Sequence, residues 1–180
     1  HITPGKINIL ITSWSANWGK GFSYYKYLDN QLNSFKNFNV TFVGRSPIKF
    51  KNITMHDPVA PEMLENFYRN ADIYLTASQK DPCSNALIEA MSHQIPAIAL
   101  ADGGHPEIIG TNGVLFSKPE EMMERLQYLV DNYNRFLNFR EHLKRSSYKE
   151  YFLFFKSVKK RSQNNLLTLI IAMLLLMRAF

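Results

Sequence analysis

Short apolar runs alternate along the chain with stretches whose apolar residues recur at helical spacing. Ile7-Asn8-Ile9-Leu10-Ile11-Thr12 is mostly β-branched and apolar, as a strand buried on both faces should be. A loop containing Trp and Gly follows from Ser13 to Gly21. Phe22 to Leu32 then places Tyr25, Leu28 and Leu32 at i, i+3 and i+7, which predicts a helix. Val40-Thr41-Phe42-Val43, closed by Gly44, is a second strand, and Ile53-Thr54-Met55 a short third. Pro61 suits the first turn of a helix carrying Met63, Leu64, Phe67 and Tyr68. Asp72-Ile73-Tyr74-Leu75 is the fourth strand, Leu87 to Ser92 lies in the next helix, and Pro96-Ala97-Ile98-Ala99-Leu100 is the fifth strand. Gly103-Gly104 makes a tight loop, Gly113-Val114-Leu115-Phe116 is the sixth strand, and Glu120 opens a long helix. This alternation predicts an α/β fold, a doubly wound parallel sheet of Rossmann-like type with helices on both faces. Ligands of such sheets bind at the C-terminal ends of the strands. Here those ends are the loops starting at Ser13, Gly44, Ser78 and Ala101.

Charge divides the chain in two. The net charge is +6, yet residues 1–139 hold 12 Lys/Arg against 13 Asp/Glu, and residues 140–180 hold 9 against 2. The excess lies in the tail, where Asn138 to Gln163 reads as a basic, aromatic helix and Leu166 to Met177 is apolar except for Thr168. Twelve residues are too few for a hydrocarbon core that needs about 20. The sequence is therefore divided into a domain over 1–148 and an extension over 149–180. For that extension, packing on the domain or a partner, contact with a membrane surface, and a non-native end all stay open. No aromatic-and-basic RNA motif or zinc-finger spacing is present, so no nucleic-acid partner is expected. The 46% apolar and 20% charged composition is that of an ordinary globular protein. One cysteine, Cys83, excludes an internal disulfide and fits a reducing, cytoplasmic setting. No secretory signal is read at the N-terminus, and His1-Ile2-Thr3, which lacks a starting Met, suggests a piece of something longer.

The chemistry concentrates in Lys80-Asp81-Pro82-Cys83-Ser84-Asn85-Ala86-Leu87-Ile88-Glu89-Ala90-Met91. Two carboxylates stand eight residues apart, one before a helix and one inside it, with Ser-Asn-Ala between them. Backbone N–H groups at a helix start can hold phosphate, and a helical Glu can accept from a sugar hydroxyl. A nucleotide-sugar carries both kinds of group. The common rivals are missing: Gly19-Lys20-Gly21 is only a fragment of a dinucleotide fingerprint, and no G-x-x-x-x-G-K-[ST] phosphate loop occurs.

Three features together resemble the C-terminal, donor-binding half of a GT-B glycosyltransferase, in the group that includes the retaining family 4 enzymes. Asp81-x7-Glu89 in its Asp-Pro-Cys-Ser-Asn-Ala-Leu-Ile-Glu-Ala-Met context is similar to the family's Glu-x7-Glu. Gly103-Gly104-x-Pro106-Glu107 is similar to its Gly-Gly-x-x-Glu. Trp18-Gly19-Lys20-Gly21-Phe22 is similar to the Lys-Gly before its first helix, and Val43-Gly44 matches the turn after the second strand. They occur in order, at family spacing, over about residues 5–148. Asp81 is one methylene shorter than the usual Glu, Ser15 stands near a common Arg position, and His93-Gln94 replaces a common Cys-Gly.

The resemblance implies transfer of a sugar from a nucleoside-diphosphate sugar to an acceptor hydroxyl, with retention. Lys20 would neutralise the leaving diphosphate, helped by Arg45, and Asp81 would touch the donor sugar. Glu89 would accept the ribose hydroxyls, and Ser84, Asn85 and Ala86 would offer amides to the phosphates. Gly44, Gly103 and Gly104 would permit close backbone approach, and Glu107 would complete the donor-binding set. No cofactor or metal is expected, because Lys20 and helix N-termini would take the metal's place. His105 has no ligand set around it. Cys83 is expected to be a small buried side chain, and His56 to be structural or near the base. An N-terminal acceptor domain, absent from this chain, is the implied partner. Two other readings stay open: a non-catalytic nucleotide-sugar-binding or interaction module of this fold, and another sugar-nucleotide enzyme such as an epimerase.

Overall fold

The computed structural model describes residues 6–136. The expected helix over 138–163, the apolar run over 166–177 and the whole 149–180 extension lie outside the described residues. Six strands form one parallel sheet: β1 (Ile7–Ser13), β2 (Phe38–Gly44), β3 (Thr54–His56), β4 (Ile73–Thr76), β5 (Ala97–Leu100) and β6 (Gly113–Phe116). Their order is β3-β2-β1-β4-β5-β6. Five helices connect or follow them: α1 (Phe22–Gln31), α2 (Pro61–Arg69), α3 (Asn85–Ser92), α4 (His105–Ile109) and α5 (Pro119–Asp131).

Successive strand residues point to opposite faces, and two apolar clusters result. Ile7, Ile9 and Ile11 join Phe42, Phe22, Tyr25, Leu28, Met122 and Leu126 on the α1/α5 side. Leu10, Val43, Tyr74, Ala97 and Ala99 join Leu64, Tyr68, Leu87 and Met91 on the α2/α3 side. The sheet is thus covered on both faces, which explains why its central strands read as continuous apolar runs.

The hydrophobic pattern does not announce Asp29. This α1 side chain is buried, and its carboxylate accepts from the backbone N–H groups of Lys51, Asn52 and Ile53 at 2.7–3.1 Å. Asn52 Nδ2 donates back to the Asp29 carbonyl at 2.7 Å. The clamp explains a shift in the third strand, expected to start at Ile53. The Ile53 N–H is committed to Asp29, and β3 begins one residue later. Two other differences are local. α3 starts at Asn85, two residues before the expected stretch, and a five-residue helix, α4, follows the glycine pair with Pro106 in its first turn.

Candidate functional site

The strand order reverses between β1 and β4, and the loops leaving their C-terminal ends flank the crevice where such folds take ligands. After β1, a 3-10 turn over Trp18–Lys20 is held by Asn17, whose Oδ1 accepts from the Gly19 N–H at 2.8 Å. Ser15 Oγ accepts from the Asn17 N–H at 3.2 Å, which gives this side chain a part in the same turn. Gly21 then turns into α1 at φ +92°, and a Cβ there would overlap the Ala77 carbonyl. The Gln79 N–H donates to Gly19 O at 2.7 Å, tying this loop to the one after β4.

That closure places two expected site residues side by side. Lys20 Nζ donates to Asp81 Oδ2 at 3.1 Å and to Ser78 Oγ at 3.4 Å, and Ser78 Oγ donates to the same Oδ2 at 3.2 Å. The Asp81 side chain is 15% exposed and Lys20 39%, so the pair faces solvent through the lysine. Lys80, immediately before Asp81, adopts a left-handed backbone at φ +51°. A lysine in that conformation is strained and needs its surroundings to hold it.

Ser84 is the N-cap of α3 with extended backbone, but its side chain makes no capping bond. Asn85 and Ala86 form the first turn, so their amides carry the positive end of an eight-residue helix with no Ser84 hydroxyl over it. One turn further on, Glu89 is half-buried, and its Oε2 accepts from the Tyr68 hydroxyl at 3.3 Å. Thr12, at the end of β1, lies 2.9 Å from the Tyr74 hydroxyl. Burial pushes both Tyr68 and Tyr74 well above the ordinary phenol range.

The glycine pair is explained by packing within the chain. Cβ atoms on Gly103 and Gly104 would overlap the carbonyls of Asp81 and Pro82, and the Gly104 N–H donates to Asp81 O at 2.9 Å. The close approach these glycines permit is thus to the loop that carries Asp81. Glu107, in the first turn of α4, is exposed. Beside it His105 is fully buried; its Nδ1 lies 2.9 Å from Leu100 O, and Nε2 has no hydrogen-bond partner. Burial lowers the imidazole's pKa, and Lys20 adds to that, against the opposing pull of Leu100 O, Asp81 and Asp102.

Gly44 and Arg45 stand apart from the Lys20 group. Gly44 has φ +132° with its Cα against the Ser13 carbonyl, and the Arg45 N–H donates to that carbonyl at 2.8 Å. Both line a cleft of about 510 Å³ over the ends of β2 and β3, together with Lys49, Asp57 and His56. His56 is exposed and lies against Phe67 at 4.9 Å. Cys83, expected to be buried, is half-buried in the turn before α3. Among the described residues no group of three or more His, Cys, Asp or Glu is placed to hold a metal ion, and no helix is long and apolar enough to cross a membrane.

The family model for glycosyl transferases group 1 matches residues 25–132, which contain Asp81, Glu89 and the glycine pair. The chain belongs to the glycosyl transferases group 1 family. Spore coat protein SA of Bacillus subtilis (strain 168) is 28% identical over 110 residues, 58% of this chain and 28% of that relative. The chain thus spans little more than a quarter of that protein's length. The C-terminal domain of a glycosyl transferase group 1 family protein (LpcC) from Francisella tularensis superposes with a TM-score of 0.60 at 21% identity, over 74% of this chain and 80% of that domain. The pneumococcal O-GlcNAc transferase GtfA, solved with UDP and GlcNAc, gives 0.59 at 15% identity over 89% of this chain and 37% of that one. At these identities the superpositions establish the shared fold.

Several residues around this crevice carry no sequence motif. Ser78 marked only the start of a loop, and Thr12, Tyr68 and Tyr74 read as strand and helix residues. A polar residue at the end of an apolar strand, as Thr12 and Ser78 are, is the signal that could have singled out two of them.

Proposed function

We propose that this chain is the donor-binding, C-terminal half of a GT-B glycosyltransferase, moving a sugar from a nucleoside-diphosphate sugar to an acceptor hydroxyl with retention. The observation that carries this reading is the meeting of Lys20 and Asp81 across the β1–β4 reversal, beside the N-terminus of α3 and the Glu89 it bears. In this reading the diphosphate lies against Lys20 and the first-turn amides of Asn85 and Ala86. As the bond to the sugar breaks, negative charge grows on the leaving oxygen, and a fixed ammonium with aligned N–H dipoles stabilises it. Asp81, held by Lys20 and Ser78, faces the sugar. Glu89 receives the ribose hydroxyls, and the base lies over the Gly44–Arg45 cleft near His56. Supporting this, the family match spans Asp81 and Glu89, and a protein of the same fold was solved with UDP and GlcNAc.

The acceptor side belongs to an N-terminal half outside this chain, so the chain alone binds nucleotide and turns over little. The test is a thermal-shift screen of ADP, GDP, UDP and their sugars, repeated with Lys20→Ala and Glu89→Ala. At least one nucleotide should raise the melting temperature, and both substitutions should abolish the rise. A response unchanged by both sinks the site assignment. No response to any nucleotide at millimolar concentration favours the second reading, a non-catalytic module, for which the closed Lys20–Asp81 ion pair speaks.

A further inference from the structure

Tyr68 is the last residue but one of α2, 3% exposed and fixed from two sides. Its ring stacks on His93 at 4.9 Å with 11° between the planes, and meets Tyr74 at 6.2 Å. His93 is itself anchored, with Nε2 3.3 Å from Glu65 Oε2. The Tyr68 hydroxyl lies 3.3 Å from Glu89 Oε2. An ionised carboxylate only accepts, so Tyr68 donates to Glu89. This buried hydroxyl thus directs its proton onto Glu89.

We propose that Tyr68 is a positioning residue for Glu89, its directed hydroxyl fixing the carboxylate in the orientation that receives the two hydroxyls of a ribose. A carboxylate offers about four acceptor positions, more than Tyr68 uses. Holding one oxygen in place removes the rotamer freedom that binding would otherwise have to remove. The proposal rests on the donor-site reading of Glu89.

The test titrates the full chain with ADP, GDP and UDP by calorimetry. The nucleotide that binds is then compared with its 2′,3′-dideoxy counterpart, in wild type and in Tyr68→Phe. Phenylalanine keeps the ring on His93 and Tyr74 and removes only the hydroxyl. The expected result is about tenfold weaker binding of the ribonucleotide, the scale of a hydrogen bond to a charged group, with the dideoxy compound unaffected. Tyr68→Leu, which fills the site without a hydroxyl, should show the same discrimination, and it serves if Tyr68→Phe does not fold. Equal weakening of both nucleotides, or of neither, overturns the role of Tyr68 and leaves the donor site standing. Failure of the wild-type chain to bind any of the three overturns both.

Discussion

Lys20 and Asp81 are 61 residues apart in sequence and 3.1 Å apart in space. An ion pair this open to solvent adds roughly 0–1 kcal/mol to stability, so its value has to be sought in ligand binding. With Asp81 ionised, a diphosphate approaching Lys20 meets a carboxylate on the same ammonium. Asp81→Asn removes that repulsion while keeping a side chain of the same shape. We expect it to tighten nucleoside-diphosphate binding by roughly two- to tenfold at low ionic strength, to lose that gain at high salt, and to shift the melting temperature little. Calorimetry at two salt concentrations checks this. Weaker binding in the variant would mean that Asp81 orients Lys20 rather than competing for it. At this scale the sequence named both partners by residue type and motif. It did not name Ser78, which shares Asp81 Oδ2 with Lys20, because the only local mark of that serine is its place just after an apolar strand.

The elements matter through the loops they hold. The Asp81 loop is closed by three contacts from elsewhere: Gly19 O receives the Gln79 N–H, Gly104 donates to Asp81 O, and Gly21 lies against Ala77. Each is a backbone contact, and only glycine fits at two of the three points. The other clamp is Asp29, whose carboxylate satisfies three consecutive N–H groups ahead of β3. Asp29→Ala leaves three donors without their partner, the Ile53 N–H buried and those of Lys51 and Asn52 on exposed residues, at a cost of about 2 kcal/mol or more. Urea unfolding monitored by circular dichroism measures it. A loss under about 1 kcal/mol would show that water replaces the carboxylate there. The strands and helices themselves were legible from apolar periodicity, which marks burial directly. Their ends were less so: β3 starts where Asp29 releases the chain, and Asp29 is a polar residue on an otherwise ordinary helix face.

At the scale of the whole molecule, one edge of the sheet gathers the candidate chemistry and also exposes apolar surface. Trp14 is 44% exposed and Trp18 53%, both on the loop between β1 and α1. They are the only tryptophans in the sequence, so the chain's indole emission reports on this edge alone. In the proposed two-half enzyme, the N-terminal half faces this edge. Iodide should therefore quench tryptophan emission strongly in the present chain, and markedly less when tryptophan-free N-terminal half is supplied. Equal quenching in both samples would place the partner elsewhere. The sequence alone determined the layers of the fold and named the residue types of the proposed donor site. Burial imposes a periodicity on the residues it selects, and phosphate and hydroxyl recognition require particular residue types close together on a helix start. Tertiary structure alone decided which residues meet. The Lys20–Ser78–Asp81 group, the Tyr68–Glu89 hydrogen bond and the seat of Gly103–Gly104 on Asp81–Pro82 are contacts between distant segments. They depend on strand order and on where each crossover ends, and no local pattern of residues encodes those distances.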